Sequence, residues 1–250
     1  MISVSQGDRA SLRHLPNFPF LKGVVNGLTT IGLGNVYQSD DGKAEAGEAF
    51  FILICGEPST TFIEELLGVH QNETYFIPES SDWIPVIQEC ASSRGFELCS
   101  RYSFELCNKF DSISDPLSLP DGYVGQWLSF EETRKAAEQI TPHLQNDYWS
   151  RELWENHGFA YGIKRDDKFA CAASSFVAGK KIHEIEIATD EEHRRLGLAT
   201  FAAEKFLVKL TSSGQVASWD AVSQVSKKMA MKLGFGFRED YLAIKVSQVH

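Results

Sequence analysis

The sequence predicts an α/β (α+β) fold with a mixed central sheet flanked by helices. Two observations carry this prediction. The stretch 183–200, HEIEIATDEEHRRLGLAT, first alternates isoleucine with glutamate at a period of two, which is typical of a strand, and then passes through a turn and a glycine into a helical pattern. Strand-like and helix-like segments also alternate along most of the chain, which is typical of helices packed on a sheet.

The composition is that of a globular protein with one large domain or two ordinary ones. The chain has 250 residues, of which 43% are hydrophobic and 23% are charged. The formal net charge of -10 argues against nonspecific binding to nucleic acid or to an anionic membrane surface. The same charge is compatible with a cationic, amine-bearing substrate.

The cysteines and the N-terminus indicate a cytoplasmic protein. The number of cysteines is odd and no pair has C-x-x-C spacing, so we expect free thiols rather than disulfides or zinc ligands at Cys55, Cys90, Cys99, Cys107 and Cys171. The first 20 residues lack the apolar run of a signal peptide, and the longest apolar stretch, 49–55, is too short to span a membrane. We therefore expect no membrane partner.

The first half of the chain carries strand and helix signals in turn. Residues 1–20 have no clear period. Thr60 or Thr61 is the expected cap of one helix, and a residue of 80–82 is the expected cap of another. The hydrophobic periods predict a short strand at 24–25, a strand pair of 35–38 with 49–55, a helix over 60–69, a strand over 75–77, a helix ending at 93, and a strand pair of 96–102 with 104–108.

A linker is predicted near the middle of the chain. Residues 112–122, SISDPLSLPDG, combine two prolines, two aspartates, three serines and a glycine. We place a domain boundary near residue 118. It separates an N-terminal α/β domain, 1–117, from a second domain, 118–250.

The second half has sharper signals. Ser129 is followed by Glu132 three positions later, which is the pattern of a capping box. The prediction is a strand over 123–128, helices over 131–140 and 147–156, a hairpin of 159–165 with 169–177, a strand over 182–189, a helix over 198–212, a strand over 216–220, a helix over 223–233, and terminal strands over 235–238 and 241–246.

The turn that precedes the helix 198–212 has the features of an anion site. The first amides of a helix have no intrahelical partner and lie at the positive end of its dipole. Gly197 lets the backbone approach a phosphate, while Arg194 and Arg195 add charge. Arg194, Gly197 and Ala199 fit the Q/R-x-x-G-x-G/A loop of the GCN5-related N-acetyltransferases, the GNAT superfamily, and the stretch resembles that motif.

Downstream segments extend the resemblance over roughly 120–250. Trp-Asp-Ala at 219–221, where the strand 216–220 ends, precedes a serine-bearing helix and then Lys-Leu-Gly-Phe at 232–235, which is similar to the family's usual ending. The combination is similar to a bacterial GNAT branch that includes the zwittermicin A resistance acetyltransferase. The elements predicted for 118–250 follow the GNAT order, so the resemblance implies the GNAT fold.

The resemblance implies acetyl-CoA as a co-substrate and no metal. Backbone groups of Ile187, Ala188 and Thr189 would bond the pantetheine arm and the acetyl carbonyl, and amides of the loop would hold the pyrophosphate. Ser223 stands where many relatives have an asparagine that contacts the pantetheine, and Ser226 is the alternative one turn later. The implied cofactor-binding residues are Ile187, Ala188, Thr189, Arg194, Arg195, Leu196, Gly197, Leu198, Ala199, Thr200, Ser223 and Ser226.

Two glutamates are the candidates for a catalytic base. Alternation places Glu184 and Glu186 on one face of the strand that leads into the loop. GNAT enzymes often use a glutamate of this strand as a base. Glu186 is preferred because it lies nearer the expected acetyl position, with Glu184 in reserve and His183 as a third candidate.

The general acid is less clear from the sequence. Many GNAT enzymes use a tyrosine of the last helix, and its position corresponds here to Ala230, which cannot donate a proton. Tyr241 or Ser226 would then donate, or the thiolate of CoA would leave unaided, since a thiol has a pKa of roughly 8.5. Asp220 has two interpretations, attraction of a cationic amine or capping of the following helix, of which we prefer capping.

The first half has features of a degenerate GNAT-like copy of the second. Gly95-Phe96 and Gly234-Phe235 each lie between a predicted helix and a predicted strand, and a tyrosine follows seven residues after each glycine. The corresponding loop at 56–61, GEPSTT, lacks the phosphate-binding pattern. Chance similarity between α/β units remains an equal alternative.

These observations predict an acetyl-CoA-dependent N-acetyltransferase that transfers the acetyl group to a primary amine of a small molecule by direct attack. The alternative is a non-catalytic acyl-CoA-binding or regulatory module of the same fold. The expected partners are acetyl-CoA and the amine, without nucleic acid, and a homodimer is left open. The sequence does not identify the amine.

Overall fold

The computed structural model describes residues 1–106, 110 and 118–248 of the chain, which form a mixed twelve-stranded sheet covered by helices. The strands are β1 (Ile2–Ser3), β2 (Asn35–Gln38), β3 (Ala44–Glu48), β4 (Ile52–Gly56), β5 (Thr74–Pro78), β6 (Phe96–Leu106), β7 (Tyr123–Leu128), β8 (Ala160–Arg165), β9 (Lys168–Ala178), β10 (Ile182–Thr189), β11 (Val216–Ala221) and β12 (Phe235–Val246). The helices are α1 (Lys22–Thr30), α2 (Thr60–Val69), α3 (Trp83–Cys90), α4 (Phe130–Gln139), α5 (Arg151–His157), α6 (Leu198–Ser212) and α7 (Gln224–Lys232).

The order of the strands has a two-fold pattern. From one edge to the other it is β1-β2-β3-β4-β5-β12-β6-β11-β10-β9-β8-β7. Each strand of the first half therefore has a counterpart six strands later, at the mirrored position. The last strands are exchanged: β12 lies beside β5 of the first half, and β6 lies beside β11 of the second half. At the centre, β6 and β12 pair antiparallel from Phe235 opposite Leu106 to Val246 opposite Phe96.

Three hydrophobic clusters hold the helices on the sheet. One contains the apolar faces of α2 and α3 of the first half, and a second contains those of α6 and α7 of the second half. The third, on the other face, contains residues of α1, α4 and the region of α5. Successive residues of β9, such as Ala172 and Ala173, belong to different clusters, because side chains of a strand alternate between faces.

Several predictions that depend on local signals are confirmed. The strand 182–189 and the helix 198–212 have the predicted ends. Ser129 and Glu132 form the capping box of α4, and the hairpin of β8 and β9 is present. The cap of α2 is Ser59 rather than Thr60 or Thr61, since its side chain accepts a hydrogen bond from the amide of Phe62 at 3.3 Å.

The strand predicted at 24–25 is wrong, because these residues belong to α1. Two glycines four residues apart, Gly23 and Gly27, allow this helix to lie directly on the sheet. A Cβ at Gly23 would collide with the backbone of Glu184 on β10, and one at Gly27 would lie 2.7 Å from the carbonyl oxygen of Ala178 on β9. Close packing therefore outweighs the low helix propensity of the segment.

Three strand predictions also need correction. β2 pairs with β3, which the sequence analysis missed, and not with 49–55. The predicted pair 96–102 and 104–108 is a single strand over the described residues, β6, and the terminal pair 235–238 and 241–246 is a single strand, β12. A register shift between Phe237 and Glu239 accounts for the apparent break in β12.

The predicted linker lies largely outside the described residues, since 111–117 are among those not described. The division into 1–117 and 118–250 stays a prediction, although one sheet contains strands of both parts. The described cysteines, Cys55, Cys90, Cys99 and Cys171, are free thiols, and Cys107 is outside the described residues. In the same part of the chain, no helix has the length and apolar character needed to cross a membrane.

Candidate active site

The loop between β10 and α6 presents free backbone amides at a helix N-terminus. Arg195 and Gly197 both have positive φ, +65° and +80°, and Gly197 is the N-cap of α6. Apart from its two neighbours in the chain, no described residue has an atom within 4 Å of the position that a Cβ of Gly197 would occupy. The amides of 198–200 begin the helix without intrahelical partners. Arg194 ties the loop to the strand, because its Nε donates to the carbonyl oxygen of Thr189 at 3.3 Å.

The end of β10 separates from β11. The two strands pair only from Ile182 to Glu184, whereas β10 pairs with β9 as far as Thr189. After Glu184, the backbone groups of β10 that face β11 therefore have no strand partner among the described residues. A linear ligand with amide groups can bond there as an added strand would.

A cavity of about 890 Å³ joins the loop and this gap, and we call it the loop cavity. Of the twelve residues that the sequence analysis assigns to cofactor binding, eleven line it, and the exposed Leu196 does not. The analysis missed the remaining lining residues. These are Ile140, Thr141, His193, Trp219, Val225, Met229 and Lys232.

Two of the missed residues bring polar groups to the loop cavity. The Nζ of Lys232 donates to Oγ1 of Thr200 at 3.3 Å, so its charge lies beside the start of α6. Lys232 opens the Lys-Leu-Gly-Phe segment, which was a signal in the sequence. Nδ1 of His193 lies 2.8 Å from the hydroxyl of Tyr123. In the described part of the chain, ligand atoms of Asp190, Glu192 and His193 lie within 4.8 Å of one another, an arrangement that exposed acidic groups often have without an ion.

The two serines of α7 have structural partners. Oγ of Ser223 accepts from the amide of Ser226 at 3.1 Å and caps the helix. Oγ of Ser226 accepts from Nε1 of Trp219 at 2.9 Å. The prediction that Asp220 caps this helix is therefore wrong, because Ser223 is the cap and Asp220 lies in β11.

A second cavity, of about 640 Å³, adjoins the first, and we call it the carboxylate cavity. The two cavities share Ile187 and Ser226 in their linings. Both halves of the chain contribute to the second. The first half provides Phe50, Phe51, Glu73, Tyr75 and Arg101, and the second provides His143, Phe176, Glu184, Ile185, Glu186, Ile187, Asp220, Val222 and Ser226.

Glu184 and Glu186 lie side by side along β10 in this cavity, and both have strongly perturbed acidities. Burial, and then the neighbouring carboxylate of Asp220, raises the pKa of each from 4.5 to about 8. Oε2 of Glu184 accepts from the hydroxyl of Ser218 at 2.6 Å, while its Oε1 is buried without a partner. A carboxyl group with a pKa near neutrality can both accept and release a proton at physiological pH.

Asp220 of β11 is held by one residue of the neighbouring strand β6 and by one of β12, the strand beyond it. Nε of Arg101 donates to its Oδ2 at 2.8 Å, and the hydroxyl of Tyr241 donates to its Oδ1 at 2.7 Å. Burial and the charge of Asp220 raise the pKa of Tyr241 well above its ordinary value. Tyr241 belongs to neither cavity lining; its ring stacks on Phe20 at 4.5 Å. The structure therefore does not bring this candidate acid together with Glu184 and Glu186 in the cavity.

The third candidate base, His183, is fully buried and lines neither cavity. Its Nδ1 lies 3.1 Å from Oγ of Ser175, and burial lowers its pKa to about 3. The ring is thus neutral at physiological pH and is part of the core. Trp149 and Trp154 are also core residues, packed against each other at 5.3 Å.

Comparison with known proteins agrees with this geometry. The family model described as GNAT acetyltransferase matches residues 18–244. The chain belongs to the GNAT acetyltransferase family. The match includes most of the first half, whereas the resemblance noticed in the sequence covers only 120–250.

Two relatives illustrate the range of similarity. The Bacillus subtilis (strain 168) protein YdfB, described as an uncharacterized N-acetyltransferase, is 29% identical over 133 residues, which are 52% of this chain and 51% of YdfB. The chain thus spans about half the length of the curated relative it matches. A GNAT-like protein from Streptococcus suis 89/1591 is 24% identical, with a TM-score of 0.74 over 86% of this chain and 88% of that one.

A third similar structure is a GNAT-family protein from Novosphingobium aromaticivorans DSM 12444. Its TM-score is 0.61 at 17% identity, over 91% of this chain and 97% of that one. At these identities, the two solved structures establish the fold alone. The GNAT fold predicted from the sequence is confirmed.

Proposed function

We propose that the protein transfers the acetyl group of acetyl-CoA to a primary amine of a small molecule by direct attack. The observation that carries the proposal is the junction of the two cavities at Ile187 and Ser226. A thioester that follows the gap beside β10 in the loop cavity ends next to the carboxyl groups of the second cavity. An amine in the second cavity is then within reach of the acetyl carbonyl.

The loop cavity suits a CoA molecule in its charge and backbone geometry. The helix N-terminus at 198–200 offers amides and a positive dipole to the pyrophosphate, and Gly197 leaves the approach open. Lys232 and Arg194 add positive charge at the same end. The unpaired edge of β10 can bond the amides of the pantetheine arm.

Glu186 is the proposed base. An amine must lose a proton to attack, and a lysine-like amine has a pKa of roughly 10.4. A carboxylate in the cavity can accept this proton directly or through a water, and a β10 amide near Ile187 can stabilise the negative charge on the carbonyl oxygen. The thiolate of CoA needs no dedicated acid, because its pKa of roughly 8.5 makes it a fair leaving group. This fits the engagement of Tyr241 with Asp220.

The test is calorimetry of acetyl-CoA binding together with CoA release in the presence of a panel of small primary amines. The proposal expects binding of acetyl-CoA and amine-dependent release of CoA that Glu186→Gln slows strongly. Binding of acetyl-CoA without turnover of any amine would instead support the alternative, a non-catalytic acyl-CoA-binding module. The branch that includes the zwittermicin A resistance acetyltransferase, a cytoplasmic location and a homodimer stay predictions.

We also propose that the first half, 1–117, is a GNAT-like repeat that has lost its cofactor site. The mirrored strand order supports this. The parallel ladder of β4 and β5 ends with Ile54 opposite Pro78, as that of β10 and β11 ends with Glu184 opposite Ser218, so an isoleucine occupies the place of a glutamate. Only 57–59 separate β4 from α2, whereas 190–197 separate β10 from α6.

The repeat proposal expects one acetyl-CoA per chain. Calorimetry of the intact chain measures this stoichiometry, and two equivalent sites would contradict the proposed loss. Gly197→Val is the companion variant, since it should weaken all of the acetyl-CoA binding, with no unaffected site left, if the loop of the second half is the one that binds.

A further inference from the structure

We infer that the carboxylate cavity accepts amines that have an aromatic or alkyl body and no carboxylate group. The inference rests on the proposed function and goes beyond it, since it names the class of acceptor. It depends on the charges that line the cavity, on one unpartnered carboxyl oxygen, and on a wall of aromatic rings.

Among the described residues that line the cavity, no cation is free to bind an anionic substrate. Among the lining residues, the acids are Glu73, Glu184, Glu186 and Asp220, and Arg101 is the arginine that faces them. The guanidinium of Arg101 is bonded to Asp220. Burial and the charge of Arg101 lower the pKa of His143, which keeps its ring neutral. A substrate carboxylate would enter beside two glutamates without a counter-charge.

The same arrangement favours an ammonium group. Glu73 is bonded to Lys245 at 2.8 Å, so the carboxyl groups without a cationic partner in the described structure are Glu184 and Glu186. Glu184 is 3% exposed, and its Oε1 has no hydrogen-bond donor. A buried acceptor without a donor is costly, and an ammonium group supplies three donors and the opposite charge.

Aromatic rings line the same cavity as these carboxyl groups. The ring of Phe50 meets those of Phe51, Phe176 and His143 edge-to-face, at centroid distances of 4.9, 5.2 and 5.2 Å. Phe50 has a φ of +93°, a conformation that bulky residues rarely adopt and that often marks a functional site. Aromatic faces attract ammonium groups and pack against apolar bodies. The ring of Phe50 can thus both attract the ammonium group and pack against the apolar body of the inferred acceptor.

Matched pairs of compounds test the inference. 2-Phenylethylamine and phenylalanine share a ring and a primary amine and differ only in the carboxylate, as do tryptamine and tryptophan. At pH 9, above the pKa of about 8 of both Glu184 and Glu186, we expect kcat/KM to be about 100-fold higher for each amine than for its amino acid, since a desolvated contact between like charges is strongly unfavourable. Equal or faster acetylation of the amino acids would overturn the inference and leave the proposed function in place.

A charge variant makes the test sharper. Val222 lines the cavity and is 62% exposed, so Val222→Lys adds a cation without disturbing the core. Val222→Lys should lower the ratio of kcat/KM for 2-phenylethylamine to kcat/KM for phenylalanine about tenfold. Val124→Lys is the matched control, because Val124 is 65% exposed on the edge strand β7 and lines neither cavity. An identical shift in both variants would contradict the inference.

Binding measurements separate the inference from the proposed function. Calorimetry in the presence of CoA, which cannot donate an acetyl group, reports the affinity for each compound alone. Preferential binding of the amines without acetylation would remove the proposed function and uphold the selectivity. Failure of both amines to bind would overturn the inference.

Discussion

Replacement of Glu186 by glutamine tests the chemistry most directly. The carboxyl group of Glu186 has a pKa of about 8, raised from 4.5 by burial and by Asp220 against the opposing charge of Arg101. At pH 7, about one molecule in ten then carries the carboxylate that can accept a proton. If Glu186 is the base, kcat/KM rises about tenfold from pH 6 to pH 7 and levels off above pH 8.

Glutamine has nearly the same size as glutamate but cannot accept the proton. We expect Glu186→Gln to lower kcat by roughly 10²–10⁴-fold at pH 8, the usual contribution of a general base. The rise of the rate around pH 8 should disappear. The remaining rate should increase with the fraction of unprotonated amine, whose pKa is roughly 10.4. Acetyl-CoA affinity should hardly change, because Glu186 does not line the loop cavity.

The assay is CoA release at several amine concentrations between pH 6 and 10, which gives both kcat and kcat/KM at each pH. Glu138→Gln is the control, since Glu138 is exposed on α4. A rise of the rate around pH 8 that persists in Glu186→Gln would refute the assignment of this rise to the carboxyl group of Glu186. Full activity at neutral pH in both Glu186→Gln and Glu184→Gln would exclude a glutamate of β10 as the base and make His183 the next residue to test.

The remaining predictions concern the cofactor loop and the buried acid. Gly197→Val and Gly214→Val each put a side chain at a positive φ, at opposite ends of α6, so each variant should lose about 1–2 kcal/mol of stability. Calorimetry should show weakened acetyl-CoA binding only for Gly197→Val. Equal affinities of the two variants for acetyl-CoA would remove the loop from the site. The pKa of Glu184, about 8 in the folded chain and 4.5 unfolded, means that stability is fully present below pH 4.5 and falls by up to about 5 kcal/mol as pH rises to 8. The free energy of unfolding, measured in urea, should therefore depend less on pH for Glu184→Gln than for the wild type and Glu138→Gln. The same dependence on pH in all three proteins would contradict the burial argument.

The parts of the fold that the sequence predicted correctly have local causes. The alternation in β10, the glycine at the start of α6 and the capping box of α4 each specify their element within a few residues. α1 was misread because its two glycines are explained only by the strand backbone against which they pack. The exchange of β6 and β12 has no local signal, since each strand would satisfy its hydrogen bonds equally well beside another partner.

The candidate site also has one part that local sequence signals predict and one part that they do not. The loop cavity is built almost entirely from one contiguous motif and the helix that follows β11, so the sequence pattern points to most of its lining. The carboxylate cavity takes Phe50 and Arg101 from the first half, more than 80 residues before β10. No spacing rule connects such residues, because their proximity depends on the order of strands in the complete sheet.

The strand exchange connects the first half to the chemistry of the second. β6 lies between β11 and β12, so Arg101 stands directly opposite Tyr241 and reaches Asp220 on the other side. A β12 placed directly beside β11 would leave Asp220 without this cation. An unpaired Asp220 would raise the pKa of Glu186 further and reduce the fraction of carboxylate at neutral pH. Through Arg101, the first half therefore lowers the pKa of the proposed base against the larger effect of burial, which raises it.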